Sequence, residues 1–181
     1  MWQKPDEIFL SQGKYTVEIL KRFEMLDCKA IPTPMVSNLK FFSDLASEPV
    51  DVTLYRQIIG SLMYLTNTRL DIFFHVNTLS HYMVDPRRVH LIAAKHVMRY
   101  LKGTLEFGLC YSSDSEFRLF GYTDSDWAGS TADRKRTSGC CFSLGSTMIS
   151  WLSRKQSNIS LSTAEAKYIA SCTACCEAIW I

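Results

Sequence analysis

Apolar residues recur at helical spacing in some stretches of the chain and alternate with polar residues in others. The helical pattern covers residues 14–25, 52–67, 71–83 and 86–102, and it returns from Ser162 to the last residue. The alternating pattern covers residues 7–12, 107–113, 117–126 and a hairpin at 137–153, with Gly145 and Ser146 in its turn. We therefore expect a mixed α/β (α+β) protein: helices first, then a three-stranded antiparallel meander, then one more helix.

Local signals mark the ends of these elements. Residues 28–51 contain three prolines, which predicts a long surface loop because proline fits neither a helix interior nor a central strand. Asp71 is the expected N-terminal cap of the third helix, and Pro86 is the expected first residue of the fourth. The apolar stripe of that fourth helix consists of Leu91, Ala94, Met98 and Leu101.

Composition narrows the class of protein. Hydrophobic residues make up 47% of the 181 residues, enough for a packed core, and a net charge of +2 does not by itself indicate a nucleic-acid partner. The seven cysteines are irregularly spaced and the N-terminus lacks a signal-peptide pattern, so we expect a reduced, intracellular and cytoplasmic protein. We expect no membrane association because no apolar run could span a bilayer; the oligomeric state stays open.

Positive charge is concentrated on the fourth helix. Residues 86–103 include basic residues and two histidines but no acidic residue, and such a helix face attracts phosphate groups. Basic residues at 134–136 and 154–155 are either solvated turn charges or contacts to a nucleic-acid backbone. The residues predicted to bind nucleic acid are Arg88, Lys95, Arg99, Lys102, Arg134, Lys135, Arg136, Arg154 and Lys155.

Two aspartates end the predicted strand at 117–126. Alternation places Asp124 and Asp126 on the same strand face as Tyr122. A carboxylate at the end of an apolar face is unfavourable unless water or a cation solvates it. The alternative is an ordinary turn that begins at these aspartates, and this stretch alone favours the turn.

A third carboxylate belongs to the last helix. Ser162 and Glu165 have the spacing of a capping box, which explains Glu165 without any catalytic role. The same residue also falls on a helical stripe that we expect to face the sheet. Two carboxylates that converge at the sheet rim could hold Mg²⁺, which prefers oxygen ligands. The stripe consists of Glu165, Ile169, Cys172, Cys176 and Trp180.

The spacing of Cys172, Cys175 and Cys176 suggests a metal site. Zinc would need a second pair of ligands, and the histidines lie on distant predicted helices. We therefore expect these cysteines to be small buried residues of the helix. His90 and His96 lie on the basic helix, where we expect them at the surface or in contact with backbone.

Several blocks of the chain resemble a known family. They are "YRQIIGSLMYLTNTRLDI", "HLIAAKHVMRYLKGT", "GYTDSDWAGSTADRKRTSGCCFSLGSTMISWLSRKQ" and "LSTAEAKYIA". In this order and spacing they are similar to the C-terminal part of a copia-type retrotransposon Pol polyprotein. The resemblance covers nearly the whole chain.

The resemblance implies two regions and a metal site. Residues 1–105 look like the C-terminal thumb and connection region of a reverse transcriptase, and residues 106–181 look like a truncated ribonuclease H-like domain. The family's "TD" aspartate and first-helix glutamate, which bind catalytic Mg²⁺, correspond to Asp124 and Glu165. Asp126 also matches a characteristic position, without an implied role in metal binding.

For the complete protein, the resemblance implies RNA-directed DNA synthesis and Mg²⁺-dependent hydrolysis of RNA in RNA–DNA hybrids. The polymerase aspartates and two further nuclease carboxylates of the family have no counterparts here. We therefore expect a fragment that is inactive alone and binds Mg²⁺ weakly or not at all. The alternatives are a non-catalytic nucleic-acid-binding remnant and a structural or interaction protein without a nucleic-acid role. Salt-dependent binding to an RNA–DNA duplex separates these two.

Overall fold

Helices and strands both contribute to the architecture, which confirms the mixed α/β class. A computed structural model describes residues 1–35, 47–113, 118–125 and 136–181. In chain order the elements are β1 (Trp2–Lys4), β2 (Glu7–Ser11), α1 (Gly13–Arg22), α2 (Val52–Leu65), α3 (Leu70–Ser80), α4 (Arg88–Gly103), β3 (Gly108–Ser112), β4 (Leu119–Ser125), β5 (Thr137–Leu144), β6 (Thr147–Lys155) and α5 (Thr163–Trp180).

The chain divides into two compact units. Met1–Trp2 and Phe9–Leu109 form the first, called here the helical unit. Gln3–Ile8 and Cys110–Ile181 form the second, called the sheet unit. This division reflects compactness alone, so the assignment of residues 1–105 and 106–181 to two family domains stays a prediction.

An apolar core fills the helical unit. Within it α2 packs against α3, α3 against α4, and α1 against α4. The stripe predicted on the fourth helix is confirmed: Ala94, Met98 and Leu101 are fully buried, and Leu91 packs against the core. The buried cluster consists of Ile19, Leu20, Met25, Tyr55, Ile58, Ile59, Leu62, Leu65, Ile72, Val76, Leu79, Ala94, Val97, Met98, Tyr100 and Leu101.

The start of α3 differs from the prediction. Arg69 occupies the cap position, and Asp71 lies in the first turn. The Asp71 carboxylate accepts hydrogen bonds from Arg69 Nε at 2.9 Å and from Arg69 Nη2 at 2.7 Å. The bidentate fit of a guanidinium to a carboxylate therefore takes Asp71 away from the capping role expected of it.

α4 also starts slightly later than predicted. It begins at Arg88, with Arg87 as its cap and Pro86 outside the helix. His90 accepts the backbone N–H of Arg87 on its Nδ1 at 2.9 Å, and its ring stacks on Tyr82 with centroids 3.9 Å apart. His90 is only 3% exposed, so the prediction that it lies at the surface is wrong.

The meander is formed by β4, β5 and β6, in that order, with antiparallel neighbours. The predicted hairpin turn is confirmed: β5 ends at Leu144, β6 starts at Thr147, and Gly145 between them has a φ of 60°, which favours glycine. The strand predicted at 107–113 exists as β3, but it belongs to a separate sheet in the order β1-β2-β3. Gly108 suits that sheet because a Cβ there would collide with the Leu10 carbonyl.

α5 packs against β4 and β5, but with a different stripe from the one predicted. Ala166 and Ala170 are buried, and Ile169 and Thr173 line a groove between the helix and the sheet. Of the predicted stripe only Ile169 faces the sheet, whereas Glu165, Cys172, Cys176 and Trp180 are exposed. Small alanine side chains let the helix approach the strands closely, and this selects the observed face.

Candidate functional site

A buried glutamine fixes the first turns of α5 on the sheet. Gln156 follows β6 and is 5% exposed. Its Nε2 donates to Ser138 Oγ at 2.7 Å and to the Ala166 carbonyl at 3.0 Å, while its Oε1 accepts from Ser160 Oγ at 2.7 Å. Its backbone N–H donates to the Arg136 carbonyl at 2.7 Å. Every side-chain polar atom of this residue is therefore used to join β5, the segment before α5, and α5 itself.

A buried arginine completes this junction. Arg136 is 6% exposed, and its Nη1 donates to the Ser162 carbonyl at 2.8 Å. Ser162 is the cap of α5, so the guanidinium ties the helix start to the beginning of β5. Arg136 thus makes an internal structural contact, and its predicted contact with nucleic acid stays a prediction.

Glu165 makes the expected helix-capping contacts. Ser162 Oγ accepts the backbone N–H of Glu165 at 3.1 Å. The Glu165 carboxylate reaches back and accepts the backbone N–H of Leu161 through Oε2 at 2.6 Å. The forward half of the capping box predicted from Ser162 and Glu165 is therefore confirmed, whereas the Glu165 carboxylate reaches back to Leu161 and not to the N-cap residue Ser162. Glu165 is exposed.

Asp124 lies near the end of β4 and is also exposed. Its Oδ1 accepts the backbone N–H of the next residue, Ser125, at 2.8 Å. In the sheet register Asp124 is opposite Gly139, and Ser125 is opposite Ser138. The end of β4 and the first turn of α5 thus meet the same end of β5, because Ser138 is joined through Gln156 to Ala166.

The two predicted metal ligands, Asp124 and Glu165, do not lie on the same side of the sheet. Ser138 and Cys140 face α5 across the groove, and paired residues of antiparallel strands share a face. Ser125 therefore points toward α5, and Asp124 points to the opposite face of the sheet. Glu165, in contrast, is carried by α5. The structure brings the strand that carries Asp124 and the helix that carries Glu165 to one end of the sheet, with Asp124 on the face opposite to α5.

Asp124 and Glu165 supply the kind of oxygen ligand that Mg²⁺ prefers. Two carboxylates are suitable ligand types, and each keeps one oxygen outside the hydrogen bonds described above. Asp124 points to the face of the sheet opposite to α5, whereas Glu165 is carried by α5 itself. The described part of the chain contains no group of three His, Cys, Asp or Glu residues that could hold a metal. As placed, these two carboxylates do not by themselves fit a shared Mg²⁺ ion. The metal-binding role of Asp124 and Glu165 stays a prediction.

The basic face of α4 is partly covered by the chain that follows α1. Arg99 Nε donates to the Lys29 carbonyl at 2.8 Å, and Lys102 Nζ donates to the Leu26 carbonyl. His96 Nε2 lies 3.1 Å from the Thr33 carbonyl of the same segment. These side chains bind the segment around residues 26–33 to the helix. They therefore do not form a fully exposed cationic surface.

The other predicted cations of α4 are more accessible. Lys95 is exposed. The Arg88 side chain is 66% exposed and forms an ion pair with Glu48 at 3.1 Å. An exposed pair of this kind contributes little stability.

Two further predicted cations lie on β6. Arg154 is exposed and lies at the groove between the sheet and α5, while Lys155 is half-buried. Arg134, Lys135 and Asp126 lie outside the described residues.

The chain has extensive sequence similarity to known proteins. It is 39% identical over 176 residues to the uncharacterized mitochondrial protein AtMg00810 of Arabidopsis thaliana, an alignment that covers 97% of this chain and 73% of that protein. It is 40% identical over 177 residues to the retrovirus-related Pol polyprotein from transposon RE2 of Arabidopsis thaliana. It is 36% identical over 182 residues to the retrovirus-related Pol polyprotein from transposon TNT 1-94 of Nicotiana tabacum.

This chain belongs to the copia-type retrotransposon Pol family. The two transposon alignments cover 98% and 97% of this chain but only 12% and 14% of those polyproteins, so the chain corresponds to a small part of their length. No protein-family model and no solved structure matches the chain. None of the helices in the described ranges combines the length and apolar character that crossing a membrane requires.

Sequence reasoning on this Pol family member missed two polar clusters. The first is the Gln156 junction, which no local pattern marks because a glutamine in a polar segment normally lies at the surface. The second surrounds Arg69, which is 3% exposed and donates to Asp71 and to the Thr104 carbonyl at 2.9 Å. Tyr100 also donates to Asp71 Oδ2, at 2.8 Å. Only the close spacing of Arg69 and Asp71 hinted at this second cluster.

Proposed function

We propose that the chain is part of a retrotransposon reverse transcriptase–ribonuclease H protein. Residues 1–105 would form the thumb and connection-like end of the reverse transcriptase, and residues 106–181 the beginning of the ribonuclease H domain. The observation that carries this proposal is the junction on β5, which brings the strand with Asp124 and the helix with Glu165 to one end of the sheet. Family membership over nearly the whole chain supports it.

The same geometry argues that this chain does not hydrolyse RNA alone. In such a protein Mg²⁺ would activate water and stabilise the leaving oxygen of a phosphodiester. Asp124 and Glu165 lie on different faces and each accepts a local backbone hydrogen bond, so they do not preorganise that chemistry.

A hybrid-cleavage assay tests this proposal. The purified 181-residue chain is incubated with an RNA–DNA duplex and Mg²⁺, and the RNA products are resolved by length. We expect no metal-dependent turnover. The matched variants are Asp124→Asn and Glu106→Gln, both at exposed carboxylates. Turnover that survives Glu106→Gln and disappears in Asp124→Asn would show that the proposed inactivity is wrong.

The helical unit would contact the nucleic-acid backbone through Arg88 and Lys95. Both are exposed, whereas Arg99 and Lys102 are engaged with backbone carbonyls. A phosphate-contacting lysine contributes to affinity for any sequence and to the salt dependence of binding. We expect Lys95→Ala to weaken binding to an RNA–DNA duplex and to lower the slope of log affinity against log salt by about one.

The control for this measurement is Lys167→Ala, an exposed lysine on α5 that the proposal does not use. It should leave both affinity and slope unchanged. Absence of any salt-dependent binding by the unmodified chain would favour the alternative of a structural or interaction protein without a nucleic-acid role.

A further inference from the structure

Three cysteines lie on the outer side of α5. Cys172, Cys175 and Cys176 are all exposed and carry free thiols. Sequence analysis predicted that they would be buried, and that prediction is wrong because the sheet-facing stripe consists of other residues. Free cysteine is among the residue types most often found inside proteins, so three exposed thiols on one helix are unusual.

Helix geometry favours one pair among them. With a rise of about 1.5 Å and a Cα radius of about 2.3 Å, residues three apart have Cα atoms about 5 Å apart, and residues four apart about 6 Å. Both separations lie within the roughly 4.4–6.8 Å that a disulfide allows. The Cβ atoms are closer in the first case, so Cys172 and Cys175 need less movement than Cys172 and Cys176.

Solvent access separates these thiols from two others. Cys140 is 8% exposed and Cys141 is half-buried, and burial raises the pKa of both thiols, which keeps them protonated. The thiolate is the attacking species in disulfide exchange, so buried, protonated thiols react slowly. The three exposed cysteines of α5 are accessible to a disulfide in solution.

We propose that Cys172 and Cys175 form a redox-active dithiol that closes to an intrahelical disulfide by exchange with a small disulfide such as glutathione disulfide. The Cys172 thiolate attacks one sulfur of glutathione disulfide, forms a mixed disulfide and releases one glutathione thiolate. The Cys175 thiolate then attacks the Cys172 sulfur and releases the second glutathione. The two cysteines lose two electrons and two protons, and the two electrons reduce glutathione disulfide.

The bond would be readily reversible. Its closure must draw the two Cβ atoms together by about 1–2 Å relative to a regular helix, and strained disulfides are more easily reduced. Thr173 lies within the closed loop and lines the groove against the sheet, where its Oγ1 donates to the Ile169 carbonyl at 3.0 Å. Oxidation should therefore also loosen the contact of this turn with the sheet.

Peptide mass spectrometry after treatment of the full chain tests the proposal. The chain is treated with glutathione disulfide, remaining thiols are alkylated, and trypsin cleaves after Lys167. The expected product is a fragment of residues 168–181 that has lost two hydrogen atoms and carries one alkylated thiol, with reversal by dithiothreitol.

Serine variants identify which two cysteines form the disulfide. Cys176→Ser should keep the loss of two hydrogens, while Cys172→Ser and Cys175→Ser should each abolish it and leave a glutathione adduct. Cys140→Ser is the matched control at a buried thiol and should behave like the unmodified chain. Circular dichroism checks that each variant stays helical.

The proposal would be overturned by a bond that persists in Cys175→Ser, by one that is lost in Cys176→Ser, or by oxidation that yields only disulfides between chains. None of these outcomes depends on nuclease or nucleic-acid-binding activity, so the result is independent of the proposed function.

Discussion

The helical unit and the sheet unit are stabilised in different ways. The helical unit is built around a continuous cluster of large apolar side chains, most of them completely buried. Among the described residues of the sheet unit, the buried hydrophobic residues are Cys140, Phe142, Ala166 and Ala170. The buried polar residues there are Ser125, Arg136, Ser138, Ser143, Thr147, Gln156 and Ser160.

The two units therefore hold their helices in place by different interactions. In the helical unit, burying a large aliphatic side chain contributes about 1.5–3 kcal/mol without a directional requirement. In the sheet unit, α5 presents alanines, which bury little area, and its position depends on hydrogen bonds from Gln156 and Arg136. Each such bond contributes only about 1 kcal/mol net, but a partner left unsatisfied is penalised. The sheet unit is therefore more sensitive to polar substitutions.

The largest expected effect is a cavity in the helical core. Leu62 on α2 is completely buried, so Leu62→Ala should lower the free energy of unfolding by about 2–5 kcal/mol. Urea denaturation followed by circular dichroism measures the change. The neighbouring Met63 is 45% exposed, and Met63→Ala should change stability by less than about 0.5 kcal/mol. Similar losses for both variants would contradict the location of the apolar core.

An intermediate effect should follow loss of the junction in the sheet unit. Gln156→Ala removes the partners of Ser138 Oγ, Ser160 Oγ and the Ala166 carbonyl, and should lower stability by about 1–3 kcal/mol. Amide hydrogen exchange in the first turns of α5 should rise in the same variant. Ser157→Ala changes the adjacent exposed residue and should do neither. If Gln156→Ala and Ser157→Ala change stability and amide exchange equally, the hydrogen bonds of Gln156 do not hold α5 on the sheet. The stated difference between the two units would then be wrong.

The smallest effect concerns the polar cluster inside the helical unit. Burial alone raises the pKa of Asp71, but the hydrogen bonds and charge of Arg69 and the Tyr100 hydroxyl outweigh it, so the pKa lies below its ordinary value. A lowered folded-state pKa stabilises the protein above the unfolded-state value of about 3.9, and this contribution disappears as pH falls through the folded-state pKa.

Asp71→Asn should therefore reduce stability near neutral pH, and the difference from the unmodified chain should shrink below about pH 4. Urea denaturation at several pH values measures this. Asp85 pairs with Arg87 at 2.6 Å but is 61% exposed, so Asp85→Asn should have a weaker effect. A difference for Asp71→Asn that grows on acidification would show that the sign of the argument is wrong.

The sequence by itself determined most elements and the family. Helical periodicity located the apolar stripe of α4, and alternation with a glycine turn located the β5–β6 hairpin. The capping contacts of Ser162 and Glu165 at the start of α5 were also predictable from the sequence, because they join residues that are close along the chain.

Only the tertiary structure decided which faces meet. It placed β3 in a different sheet from the meander, turned Ala166 and Ala170 toward the strands, and left the three cysteines of α5 in solvent. It also directed Asp124 away from the face that α5 covers. The physical reason is that a one-residue shift reverses the faces of a strand and turns the stripe of a helix by about 100°, and which face is buried depends on partners distant in the chain.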